Sequence, residues 1–439
     1  MLKYIIILFL VGCSSEQLVF ELPTLNDSSS KSVATKSSNT TQTTEALPET
    51  PLTLNVALAQ ARDNSPALRA SRFRLEAQQQ RLKVAGRLPN PEFAIKTEAQ
   101  PLGSNASSTS TSDSGDTLIG FSQTVPLGGQ AATARAIETE AFRALQLRHD
   151  GLALELESKV RGAFATALSL QQAALLQTQQ LQRLNQLLDL RQALIDAGEL
   201  IPSDDLELRV QHSNLGAELV QIRRNQRLAQ DELTARMGLV QSPTLALLGD
   251  LNATLDLPHL NDLLDQLIDT PVVAEAFSQA QVAHLRAQLA KANRVPDINL
   301  ELFYRQTADG QDAFDAAVLF QLPLNGRASS NSRAAKAEAS ASQQHAQLQL
   351  QESRIALAQS YAQLKQAQTA LLRHQDDILA AVEQKTDVFE LRYKLGEISL
   401  AEVLQQRNVF AQAKLQRLAA WRHFMLAWGR VRQQDRLLP

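Results

Sequence analysis

The chain has 439 residues, 20% of them charged, with a formal net charge of −3 and one cysteine. Near-neutrality, with no basic stripe interleaved with aromatics, argues against a nucleic-acid partner, and a single cysteine excludes a disulfide within the chain. Beyond the first dozen residues no apolar run reaches the roughly 20 residues a helix needs to cross a bilayer, so any crossing falls to strands.

Residues 1–12 have the shape of a secretory signal, with Lys3 ahead of an apolar run over 4–11. The run closes in Leu10-Val11-Gly12-Cys13, a lipobox that makes Cys13 the expected lipid attachment site. A plain signal followed by an incidental thiol is the competing reading. Ser14, standing where an aspartate would favour retention at the inner membrane, points to the outer membrane. Residues 13–50 are Ser/Thr-rich with little periodicity and read as a tether.

The rest is written twice. Arg87-Leu88-Pro89 recurs as Arg294-Val295-Pro296, Phe121-Ser122-Gln123-Thr124-Val125-Pro126-Leu127 as Phe320-Gln321-Leu322-Pro323-Leu324, and Gly198-Glu199 as Gly396-Glu397. The first copy spans 51–240 and the second 261–432, with a linker over 241–260. Each copy holds two segments that alternate apolar and polar residues: 92–100 and 117–125, then 298–306 and 316–322. Such alternation over about 9–11 residues is the pattern of a membrane-spanning barrel strand; a half-buried hairpin on a soluble domain is the alternative for any one of them. Closed transmembrane barrels need about eight strands, and an open edge in lipid leaves backbone groups unpaired, so the sheet must be completed by other copies of the chain.

Helices fill what remains. Between Gly129 and Gly198, and between Gly326 and Gly396, there is no proline, and each run of about 67 residues predicts one helix roughly 100 Å long. Leu350, Leu357, Leu364, Leu371 and Ile378 repeat every seven residues beside the small Ala346, Ser353, Ser360 and Ala367, which suits close helix packing. Helices return over 204–237 and 400–428. Leading helices over 54–86 and 261–292 are half as long, so a returning helix from one copy stacked on a leading helix from another equals one full rod. The chain is therefore read as mainly α with a small β part, a duplicated helix-strand-strand-helix-helix unit.

This order resembles the TolC-type outer-membrane efflux factors over about residues 52–432. The resemblance is carried by Pro89-Asn90-Pro91 and Pro296-Asp297, by the strand-to-helix junctions at 121–129 and 320–326, and by Tyr393-Lys394-Leu395-Gly396-Glu397-Ile398-Ser399-Leu400-Ala401-Glu402-Val403-Leu404. Within the family, Leu88-Pro89-Asn90-Pro91-Glu92 with Pro126-Leu127-Gly128-Gly129 is most similar to the heavy-metal branch, the CzcC- and CusC-like lipoproteins. The resemblance implies a homotrimer whose twelve strands form one barrel in outer-membrane lipid, continued by a periplasmic helical barrel. It further implies a periplasmic adaptor and an inner-membrane pump, of RND type, as partners.

The turns after the long helices carry the candidate site. Gly198 and Gly396 suit helix ends, and Asp204 and Glu402 follow six residues later, with Asp205 beside the first. Three copies would ring the narrow end with these carboxylates and favour cations. The alternative is capping, since Asp204-x-x-Glu207 and Ser399-x-x-Glu402 are capping boxes. Leu200, Ile201, Ile398 and Leu400 are apolar at a turn, either to receive an adaptor or to pack the turn itself. The resemblance makes Tyr393 a bond-forming residue of a closed turn, while Ile398 stands where some relatives carry a gating arginine. The seven histidines are dispersed, and no nucleophile motif or phosphate loop occurs, so neither enzyme chemistry nor a cofactor or metal ligand set is expected. The function expected is the exit duct of a tripartite efflux system for heavy-metal cations. Other readings are drug efflux or type I secretion through the same kind of duct, a periplasmic adaptor, or a structural coiled-coil lipoprotein.

Overall fold

The structure, a computed structural model, describes residues 51–98, 116–198, 201, 206–239, 245–251, 257–307, 311–321, 325–374 and 376–434. The chain divides into two units, Met1–Pro48 and Glu49–Pro439. The first, with the expected signal, Cys13 and nearly all of the tether, lies outside the described residues, as do Leu200, Asp204 and Asp205.

In the second unit β1 (Leu52–Thr53), α1 (Leu54–Asn64) and α2 (Pro66–Val84) lead to β2 (Glu92–Glu98) and β3 (Asp116–Val125), followed by α3 (Gln130–Asp196) and α4 (Leu206–Arg236). After β4 (Leu247–Leu248), the series α5 (Leu260–Asp265), α6 (Pro271–Ala292), β5 (Ile298–Gln306), β6 (Asp312–Phe320), α7 (Arg327–Leu372), α8 (Asp376–Lys394) and α9 (Leu400–Gln434) runs in the same order. β6 begins four residues ahead of the expected 316, because Ala313 and Asp315 continue the ladder opposite Arg305 and Phe303. β2 ends at Glu98; residues 99–100 and 322 of the expected strands are outside the described residues.

Both leading helices are cut, contrary to expectation. Pro66 and Pro271 each start a new helix at a first-turn position, where a missing N–H costs nothing, and Ser65 and Thr270 before them are extended, as proline demands of its predecessor. The run from 327 to 394 is also two helices rather than one. Arg373 still bonds to Thr369 O at 3.2 Å, but His374 bonds back only three residues, to Leu371 O at 3.0 Å. No proline or glycine stands there, and nothing in the local sequence explains the break. The heptad seam stops with it: Leu357 and Leu364 are fully buried, Leu350 and Leu371 pack partly against them, and Ile378, past the break, is 51% exposed.

α3 is unbroken over 67 residues, about 100 Å at 1.5 Å per residue. Gly129 opens it and Gly198 closes it in the left-handed region, at φ 75° and 76°, where side chains are disfavoured. Its buried residues concentrate between Glu157 and Gln177. Small side chains there let α1, the end of α4 and α9 close in, and Ala163, Phe164, Ala167 and Leu168 meet Ala57, Leu58, Leu233, Met237 and Trp421. A second core joins Leu263, Leu267 and Val273 to Phe424, Trp428 and Val431. Each returning helix thus shares a core with the leading helices of its own copy, α4 with α1 and α9 with α5 and α6. At the first junction Gly238 (φ 74°) has Asn64 against it, leaving no room for a side chain.

The linker is not passive. β4 lies within it and pairs in parallel with β1. Gln171 of α3 clamps that strand, donating from Nε2 to Leu247 O and accepting from Leu247 N, both at 3.0 Å.

Candidate functional site

Four strands form one antiparallel sheet in the order β2-β3-β5-β6. Its register sorts the side chains by character. One face carries the rows Phe93–Phe121–Leu302–Ala316 and Ile95–Ile119–Tyr304–Phe314, with Leu300–Val318 and Ile298–Phe320 alongside. These side chains are largely exposed, Phe314 the most at 77%. Phe93 and Phe121 lie 5.3 Å apart, ring centre to ring centre, and Tyr304 and Phe314 5.6 Å. Such an apolar surface in water costs about 25 cal/mol per Å² and calls for a non-aqueous neighbour.

The opposite face is polar and ionic. Arg305 gathers three carboxylates: Nε donates to Asp315 at 2.7 Å and Nη1 to Asp116 at 2.9 Å, and Nη1 forms an ion pair with Glu98 at 3.2 Å. Lys96 lies 4.2 Å from the Phe303 ring centre and 3.5 Å from Glu301. Apolar residues interrupt this face too: Leu319 stands opposite Asn299, and Leu118 and Phe303 are buried, at 3% and 4% exposure. Phe303 folds over its register partner Gly120, where an added Cβ would meet Leu302 O at 2.1 Å and the Phe303 ring at 2.5 Å. The sequence reading gave Arg305 only a polar side and left Leu118 and Phe303 unremarked. Their partners depend on how β3 pairs with β5, which joins the two copies and has no signature along the chain.

Among the described residues β2 and β6 each pair on one side only, so the sheet has two open edges. No helix among them is long and apolar enough to cross a membrane.

Of the predicted turn residues, the structure describes Gly198, Ile201, Tyr393, Gly396, Ile398, Leu400 and Glu402. Gly396 ends α8 at φ 75°, with its N–H donating to Tyr393 O and that of Glu397 to Arg392 O, both at 2.9 Å, a Schellman closure. Glu402 Oε2 accepts from Ser399 N and Oγ, each at 2.8 Å, and Ser399 Oγ accepts from Glu402 N at 3.3 Å, a full capping box on α9. The backbone N–H of Ser399, then its hydroxyl, hold the exposed carboxyl below the usual glutamate range. Leu400 turns inward against the small core of Leu184, Leu208 and Leu404, whereas Ile201 is 62% exposed. Tyr393 and Ile398 are half-buried. Among the described residues no three His, Cys, Asp or Glu side chains come together as a metal site.

A sheet with one apolar face, mounted on long paired helices, is the arrangement to set beside known proteins. Residues 57–239 match the family model described as outer membrane efflux protein. The cobalt-zinc-cadmium resistance protein CzcC of Cupriavidus metallidurans is 23% identical over 84% of this chain and 86% of its own length. Crystal structures of CusC share the fold at a TM-score of 0.67 and 15% identity, over 86% of this chain and 90% of that one. The open state of the Neisseria gonorrhoeae MtrE outer membrane channel does so at 0.70 and 16%, over 87% and 88%. Residues 57–239 thus resemble the outer membrane efflux proteins, and the chain shares the fold of the CusC and MtrE channels.

Proposed function

We propose that the chain is the outer-membrane duct of a tripartite efflux system, assembled as a homotrimer and exporting heavy-metal cations. The observation that carries this is the four-stranded sheet with an exposed apolar face and two open edges. Three such sheets joined β2 to β6 give twelve strands with no edge left, the apolar face toward lipid and the ionic face lining the passage. The helices then continue the passage through the periplasm to an adaptor and an RND-type pump, and Cys13 anchors the chain by lipid. Cobalt, zinc and cadmium are the proposed cargo because CzcC, similar over most of its length, is a resistance protein for them.

Within this reading Asp204, Asp205 and Glu402 ring the periplasmic end and favour cations, while Ile201 and Ile398 meet the adaptor. Leu400, partly buried against Leu184, Leu208 and Leu404, supports the turn in this reading. The test is deletion of the gene in its host, with metal tolerance and retained zinc and cobalt measured before and after complementation. Sensitivity to these metals with raised cell content is expected. Unchanged metal tolerance with new sensitivity to dyes or drugs would move the cargo to small organic molecules, and no phenotype of either kind would overturn the duct.

A further inference from the structure

Where α1, α3 and α9 meet, the charges of Glu157, Arg62 and Arg432 gather around Arg161. Glu157 of α3 is 9% exposed, and its Oε1 accepts from Arg62 of α1 twice, from Nη2 at 2.5 Å and Nε at 3.1 Å. Arg161 follows one turn later on α3, and Arg432 approaches from α9. The two helices are held close by Ser158, whose hydroxyl donates to Gly429 O at 2.8 Å, three residues before each of these arginines. Burial, then the neighbouring Arg432, push the Arg161 guanidinium below its ordinary pKa. Glu155, two residues before Glu157, pairs with Lys159 at 2.5 Å.

Among the described residues four side-chain polar atoms are buried without a hydrogen-bond partner, and two of them are here: Nε of Arg161 and Nη1 of Arg432. A guanidinium stays charged in a protein, so neither group can escape the cost by losing a proton. Buried donors of this kind are retained where an acceptor meets them. The Arg62 side chain beside the cluster is 53% exposed, whereas that of Glu157 is 12% exposed.

We infer that Arg161 and Arg432 form a binding site for an oxyanion, a sulfate-, phosphate- or carboxylate-type group held between two guanidinium forks at the middle of α3. Planar forks with free N–H groups suit two oxygens of one such group. The oxyanion is either free in solution or a carboxylate of an adjoining polypeptide.

The test uses the full chain purified in detergent and chloride, with thermal unfolding followed in sulfate against chloride at equal ionic strength, for wild type, Arg161→Met and Arg432→Met. For a free oxyanion, sulfate raises the wild-type midpoint by about 2 °C or more beyond its rise in either variant. For a protein carboxylate, sulfate has no such extra effect and both variants melt below wild type. A wild type indifferent to sulfate, with Met variants melting at or above it, would overturn the site, because replacing an unpaired buried charge by an apolar side chain relieves strain. Should a Met variant not fold, Arg161→Lys and Arg432→Lys keep the charge without the fork. Loss of stability or of the sulfate response in these supports the site, and unchanged melting and response refute it.

Discussion

At the scale of single residues, Glu402 holds two roles that a substitution can separate. Glutamine also completes a capping box, so Glu402→Gln keeps the start of α9 and removes the charge, whereas Glu402→Ala loses both. In planar bilayers the Gln variant is expected to lose cation preference while protection of the amides of residues 402 and 403, which bond to Ser399, is kept. Unchanged preference would leave Glu402 a cap and nothing more. The carboxyl is held below its ordinary value, so its contribution is full at neutral pH and is lost as pH falls through that lowered value, below about 4.5. Protection of the amides at the start of α9, relative to free amides at the same pH, should therefore fall only in acid, and not in the Gln variant. The capping box was legible in the sequence because it is local, four residues with known chemistry. The Arg305 cluster was not, since Glu98, Asp116 and Asp315 reach it from three different strands.

Among the elements, the seam of α7 invites a comparison of two positions. Leu357 is fully buried, and Leu357→Ala should cost about 2–5 kcal/mol, read as a lowered unfolding midpoint. Ile355, on the same helix, is 58% exposed in the single chain. Ile355→Ala should cost a comparable amount if a neighbouring copy covers that face in the assembly, and under about 0.5 kcal/mol if water does. Strand existence and the 67-residue α3 were readable from alternation, from the absence of proline and from the glycines that bound it. Helix ends at Pro66 and Pro271 were equally written there, in the N1 preference of proline, but were masked by a periodicity that runs straight through them. The break after Leu372 has no such mark. Nor has β4, whose two residues become a strand only because β1 and Gln171 hold them.

For the whole molecule, native mass measurement of detergent-extracted protein should return three mature chains, and a stable monomer would contradict the closed barrel. The sheet also sets a requirement on biogenesis. A newly exported copy presents two bare strand edges and a greasy surface before any sister chain has arrived. Such a surface is a template for promiscuous pairing, so under the proposed trimeric duct the nascent hairpins need an escort across the aqueous gap, and insertion waits for assembly. Cells starved of that escort should accumulate aggregates of this polypeptide rather than idle, soluble singles.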